Sequence, residues 1–211
     1  MKKTSALFLL LFISFCITAF RPVADPFEGT IHYETSVTGE VPKFITERLA
    51  KYYDLRFKGS DLKIKGGAPL MGEILLKKNT GKMYVMRTDE KNIYELDLKD
   101  KRIPEKTSAP VATRLNEINT IAGYRCQKHQ VQYDNGMKLF FWTTEEINTY
   151  HWGGDIFGGQ FKLPEGINGY PLKLQFTSSQ FTITCTATVV KAGTIDAMEF
   201  ELPSEMATKK L

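Results

Sequence analysis

Along most of this chain hydrophobic and polar residues alternate one by one, the two-residue period of strands that lay one face on a core. From Phe27 to Val37, Phe27, Ile31, Tyr33 and Val37 oppose Glu28, Thr30, His32 and Glu34. Short strand patterns follow at Asp54–Lys58, Asp61–Lys65, Glu73–Lys78, Lys82–Arg87 and Asn92–Lys99. Gly59-Ser60, Gly66-Gly67-Ala68-Pro69, Asn79-Thr80-Gly81 and Thr88–Lys91 punctuate them. Turns recurring at about eight to twelve residues predict an antiparallel meander, as an open sheet or a barrel. Strand patterns resume at Tyr170–Phe176 and Gln180–Lys191, where the alternation puts Cys185 on the buried face. A last short strand is predicted at Met198–Leu202.

Between these groups, Ile118–Thr144 reads as a hairpin around Asp134-Asn135-Gly136. Asn-Gly favours a type I′ turn because both central residues need positive φ. The first run carries Cys126; the second carries Leu139, Phe140, Phe141 and Trp142, the densest aromatic patch in the chain. This hairpin is expected at mid-sheet. Thr143-Thr144-Glu145-Glu146 has the capping residues and acids of a helical first turn.

One segment changes period. From Val41 to Tyr53, Val41, Ile45, Leu49 and Tyr52 or Tyr53 share a face, opposite Lys43, Glu47, Arg48 and Lys51, and Pro42 suits a first turn. That is an amphipathic helix pattern. The predicted fold is therefore mainly β (α+β), a curved antiparallel sheet or half-barrel of about nine to ten strands wrapped around one amphipathic helix.

Several strands are apolar at both parities: Ile74, Leu75 and Leu76; Met83, Tyr84, Val85 and Met86; Leu139 to Trp142. Both faces of such strands need cover. One helix covers part of one face, leaving the rest to a glycine-rich segment, a partner, an apolar ligand, or the curling of the sheet itself. Met71, Met83, Met86 and Met137 lie in or beside this region, and methionine suits adaptable apolar contacts. The segment 148–169 lacks periodicity but keeps Tyr150, Trp152, Ile156, Phe157, Phe161 and Ile167 between glycines. It is expected to pack down as a lid or as a permanent seal.

The first residues change the setting. Lys2 and Lys3 precede an apolar run from Ala6 to Phe15, then small residues, the layout of an export signal ending near Ala19. The chain then divides into signal 1–19, tether 20–26, one β-rich domain 27–203 and a polar tail 204–211, with a proline-containing loop over 100–113. An alternative is lipid attachment at Cys16, although Phe15 before it is a poor fit. Removing Lys2 and Lys3 lowers the net charge from +4 to +2, and lysines alternate with acids. No footprint for nucleic acid is present. Cys126 and Cys185 are then the two remaining cysteines. In an exported protein they suggest one disulfide, worth roughly 4 kcal/mol; the alternative is two buried free thiols.

Candidate chemistry is sparse. His32, His129 and His151 have no second ligand at a recognised metal spacing, apart from Asp155 near His151 in a glycine loop. His32 and His129 are expected to face water from strands. No Gly-x-Ser-x-Gly and no phosphate-loop pattern occurs. The reading assigns no catalytic residue, no metal site and no cofactor.

Several pieces together resemble the bacterial family known as domain of unknown function 4412. They are Ile121-Ala122-Gly123-Tyr124-Arg125-Cys126, the run Phe140-Phe141-Trp142-Thr143-Thr144 before acids, Gly169-Tyr170-Pro171-Leu172, and Phe200-Glu201-Leu202-Pro203, in that order between Phe27 and Pro203. GLPGLI-type proteins share the layout. The resemblance implies a convex antiparallel sheet of the periplasmic lipoprotein-carrier type, curled around a helix, with no established activity.

The resulting expectation is an exported, non-enzymatic carrier in the periplasm or cell envelope of a Gram-negative bacterium, peripherally associated with the envelope. Its partner would be a lipid, an acyl chain or a lipidated protein. Ile45, Leu49, Tyr52, Met83, Met86, Phe140, Trp142, Trp152 and Phe157 are the candidate apolar contacts. The rival is a structural or interaction module without a cavity; a hydrolase is the third reading.

Overall fold

The computed structural model describes residues 25–47, 49–67, 72–98, 112–133, 136–150 and 167–210. Among the described residues twelve strands form one sheet: β1 Gly29–Gly39, β2 Tyr52–Lys58, β3 Asp61–Gly66, β4 Glu73–Lys77, β5 Lys82–Arg87, β6 Asn92–Asp97, β7 Ala112–Ile121, β8 Tyr124–Gln132, β9 Lys138–Thr144, β10 Tyr170–Thr177, β11 Phe181–Ala192 and β12 Ala207–Lys210. Their order is β12-β6-β5-β4-β3-β2-β1-β11-β10-β9-β8-β7. All neighbours are antiparallel except β12, which runs parallel to β6. Two meanders, β1 to β6 and β7 to β11, thus meet along a single seam, the pairing of β1 with β11.

The meanders have a local cause. Each short hydrophobic strand is followed by a turn whose residues admit reversal. Gly59 and Gly81 have φ of 53° and 68°, and Gly136 has 80° after β8. The β7–β8 turn uses Ala122 and Gly123 at φ 48° and 89°. Two positive φ values in succession are the requirement of a type I′ hairpin.

The seam carries the buried anchor of the core. Tyr33 is fully buried on β1, opposite Ala187 of β11 and Tyr53 of β2. Its hydroxyl donates to the Pro171 carbonyl, 2.7 Å away on β10. Burial holds the phenol well above its ordinary pKa, so it stays a donor. Around it the core runs through Ile31, Leu55, Phe57, Leu62, Ile64, Phe141, Leu172 and Leu174. Phe57 of β2 meets Tyr170 of β10 edge to face, with ring centroids 5.6 Å apart. β7 also comes against β11, so the second meander curls.

The opposite face of β4, β5 and β6 has its own cover. Leu75, Tyr84, Met86 and Ile93 pack with Ile195 and Phe200, and Leu202 and Met206 lie against them. Phe200 ends a 3-10 turn, Ala197–Phe200, capped by the Asp196 side chain accepting from the Met198 amide at 3.0 Å. Glu28 and Lys58 tie this segment down: Glu28 accepts the Ile195 amide at 2.8 Å, and Lys58 donates to the Ile195 carbonyl. Arg56 pairs with Glu199. The two-sided apolar pattern of β4 and β5 is thereby satisfied by the chain's own C-terminal segment.

Six expectations are corrected. The sheet has twelve strands, not nine to ten. The Val41–Tyr53 helix shrinks to one turn, Lys43–Thr46, with no buried residue. Tyr52 and Tyr53 instead enter β2, because pairing with Glu34 and Tyr33 of β1 satisfies their backbone and buries Tyr53. The β8–β9 hairpin lies one strand from the β7 edge, not at mid-sheet, since β7 adds outside it. Met198–Leu202 contains the 3-10 turn rather than a strand, and the expected polar tail supplies β12. Cys126 and Cys185 are buried free thiols rather than a disulfide. β9 and β10 stand between their strands, and both thiols neighbour the Tyr33 phenol.

Burial pushes the Cys126 thiol up to about 11 and the Cys185 thiol up to about 12. Both remain protonated at neutral pH, and the thiolate is the reactive form. Iodoacetamide at pH 7.5 should label neither cysteine in the folded protein and both in urea without reductant, as read by mass; absence of labelling in urea contradicts this. Tyr33→Phe leaves the Pro171 carbonyl without its buried donor. It should lower stability by about 1–3 kcal/mol in urea unfolding, with the folded spectrum retained.

Candidate functional site

Directly paired residues of neighbouring strands share a face. One such row runs Cys185, Leu174, Phe141, His129, Arg114 across β11, β10, β9, β8 and β7. It begins in the apolar core and ends at a guanidinium on the edge strand. Beside it Thr143, Gln127 and Ile118 form a second row. The His129–Arg114 end of the first row and the whole second row line a pocket of about 290 Å³ together with Arg125, Thr144, Glu145, Glu146 and Asn168.

His129 is the buried polar group of this pocket. It is 5% exposed, and its Nδ1 has no hydrogen-bond partner among the described residues. The expectation that it faces water is thereby corrected; it shares parity with the core residue Val131, and that parity is the available signal. Burial, and then the Arg114 charge, hold its pKa below the ordinary imidazole value. Thr143 and Thr144 are buried beside it. Glu145 and Glu146 do not start a helix. They follow β9 at a bend, where the Glu146 amide donates to Thr144 Oγ1 at 3.3 Å and Glu146 Oε1 accepts the Arg125 amide at 3.2 Å. Gly169 lies against this bend, and a Cβ there would meet the Thr144 carbonyl at 2.4 Å. The Gly-Tyr-Pro-Leu motif needs its glycine for that approach.

The apolar candidates are not gathered at one place. Ile45 and Leu49 are half-buried in and after the one-turn helix. Tyr52 stacks on His32, which bonds Asp54 at 2.6 Å. Met83 packs on the main core, whereas Met86 is buried in the other cluster beneath the C-terminal segment, because three residues along a strand reverse the face. Phe140 and Trp142 alternate with Phe141 and lie under lysines: Lys128 Nζ is 5.0 and 4.8 Å from their ring centres, and Lys173 Nζ is 4.5 Å from that of Trp142. Trp142 Nε1 donates to Asn119 at 2.7 Å. Trp152, Phe157, His151, Met71, Cys16 and residues 151–166 of the segment 148–169 expected as a lid or seal lie outside the described residues. Flanking that segment, Ile147 and Ile167 are buried. Among the described residues no group of three His, Cys, Asp or Glu is placed to hold a metal ion.

The lowered His129 pKa makes a signed prediction. The folded protein takes up this proton at a lower pH than the unfolded chain, whose imidazole titrates near 6.5. The stability this group contributes is fully present above about pH 6.5 and is lost as pH falls from there toward the folded-state pKa. Urea midpoints should therefore drop between pH 7.5 and 5.5 more in the native sequence than in His129→Gln. Parallel pH dependences contradict the assignment.

Comparison with known proteins gives a family and a fold. No curated protein matches the chain. Among solved structures, PNGF-II in its C2 crystal form is 12% identical with a TM-score of 0.50, covering 86% of this chain and 30% of that chain. The chain thus spans less than a third of that protein, and the likeness is one of fold. An uncharacterized conserved protein from Thermus thermophilus is 8% identical, TM-score 0.49, with 87% and 91% coverage. The lipoprotein LppX of Mycobacterium tuberculosis is 9% identical, TM-score 0.38, with 80% and 90% coverage. The family model for a domain of unknown function, DUF4412, matches residues 27–206. With nearly all of its sheet inside that match, the chain belongs to the DUF4412 family.

Proposed function

We propose that this protein is an exported, non-enzymatic carrier that holds an apolar ligand on the inner face of its curved sheet. The ligand class is an acyl chain, a lipid or the lipidated end of a partner protein. One observation carries the reading. Buried apolar side chains run through nine strands, β1 to β4 and β7 to β11, and the described one-turn helix adds no buried residue to them. An apolar molecule gains by burial where the border of such a core stays half-buried. The outer face of β4 to β6 is sealed by the C-terminal segment, so the ligand is assigned to the inner face. Half-buried Met83, Val85, Tyr133 and Phe176 flank that core and form its accessible rim. In this reading Trp152 and Phe157 contribute from the segment before β10.

A second reading has its own observation. β7 is ten residues long, mostly exposed and, among the described residues, strand-paired on one side only. An open edge of that length offers backbone groups to a partner strand, as in β-augmentation. The protein would then be an interaction module with a filled interior.

A fluorescent acyl probe, dansyl-undecanoate, separates the two. The delipidated mature protein should bind it saturably with a blue shift, unlabelled oleate should displace it, and Met83→Asp should weaken it at least tenfold. Absence of saturable binding rejects the carrier and leaves the edge-strand module.

A further inference from the structure

The pocket beside β7 has a chemistry that an acyl chain does not use. Its inner wall is His129, whose Nδ1 is buried and unpartnered, and Arg114, the residue paired with it across β7 and β8. A buried polar atom left without a partner costs free energy, so a ligand that satisfies it is favoured. Arg125 stands at the mouth. Among the described residues neither guanidinium is ion-paired with a carboxylate. Two carboxylates, Glu145 and Glu146, also line the pocket, so its formal charges balance and selectivity rests on the donors placed at His129. The Glu146 carboxylate accepts the Arg125 amide, and both glutamates are exposed. A cation would meet a neutral ring and a guanidinium on the floor; an anion meets two donors there. Arginine offers a planar fork that matches carboxylate and phosphate oxygens. At about 290 Å³ the space admits such a group and several further atoms.

We propose that this pocket binds a compact oxyanion, a carboxylate or phosphate group, between Arg114 and His129, with Arg125 closing over it. Arg114 forks to two oxygens, His129 Nδ1–H donates to one of them, and Ile118 lies against whatever the anion carries. The anion has two sources. It is a free small acid or phosphate, or it is the head of an amphiphile whose apolar part leaves the pocket past Ile118. The pocket stands on its own residues and does not require an apolar ligand on the inner face.

The experiment follows the His129 ring by nitrogen-15 NMR of the purified mature protein during titration with inorganic phosphate, acetate, laurate and dodecanol. At least one of the three anions should shift the His129 signals saturably, and Arg114→Gln should weaken that anion at least tenfold. Arg114 is exposed, so the variant keeps its fold, which circular dichroism checks; Arg125→Gln serves as a second variant with a smaller loss. Saturation by phosphate or acetate identifies a free anion as sufficient; saturation by laurate alone identifies the head of an amphiphile. Dodecanol binding without any His129 response to the anions overturns this site while leaving the carrier reading intact. No response to any anion, or affinity unchanged in both variants, also overturns it.

Discussion

The pairing of β1 with β11 is the constraint on which the rest of this fold depends. Its register runs from Gly29 opposite Ala192 to Gly39 opposite Phe181. Every other pairing in the sheet but the parallel β12 joins strands adjacent in the chain. Each of the two meanders can form from local turns, and neither has the other's face to bury against until this ladder closes. Loop-closure entropy grows slowly with length, so joining ends this far apart costs little more than a medium loop, but it must be met before the contacts reward it. Tyr33 makes the junction specific. A register slip of one residue on β1 would turn it, and Ile31, away from the core and leave the Pro171 carbonyl without its donor.

Once the seam is set, the two faces divide the work. One face is apolar from β4 to β8 through the seam, and it is the face on which we propose a ligand. The other is apolar over β4 to β6, where Ile195, Phe200, Leu202 and Met206 close it. Farther along, Phe140 and Trp142 are covered by the stems and charges of Lys128 and Lys173. The Phe-Glu-Leu-Pro motif therefore serves the fold. Its Phe200 fills the outer cluster while Glu199, just before the motif, pairs with Arg56.

Much of the sheet was legible because period-two alternation and turn residues are local signals. β1, β3, β4, β5, β10 and β11 lie within a residue or two of where the pattern places them. What escaped was set by tertiary context. The 3.6-residue pattern of Val41–Tyr53 is real, but Tyr52 and Tyr53 are strand formers, and β1 supplies the partner that decides between the two. β7 and β12 are edge strands with polar residues on both faces, so they carry no alternation to read. The thiols were visible as a pair, yet which strands separate them is a matter of sheet order. Of the candidate site, the aromatic residues were legible and their faces were not, and His129 was hidden by lysine and glutamine neighbours although it shared the parity of Val131.

The central claim, that the inner face holds an apolar molecule, is tested most directly by native mass spectrometry of the mature protein exported to a bacterial periplasm and purified without detergent. The account predicts a species heavier than the polypeptide by the mass of one lipid or acyl chain, returning to the polypeptide mass after extraction with organic solvent. A single species at the polypeptide mass, before and after extraction, contradicts it.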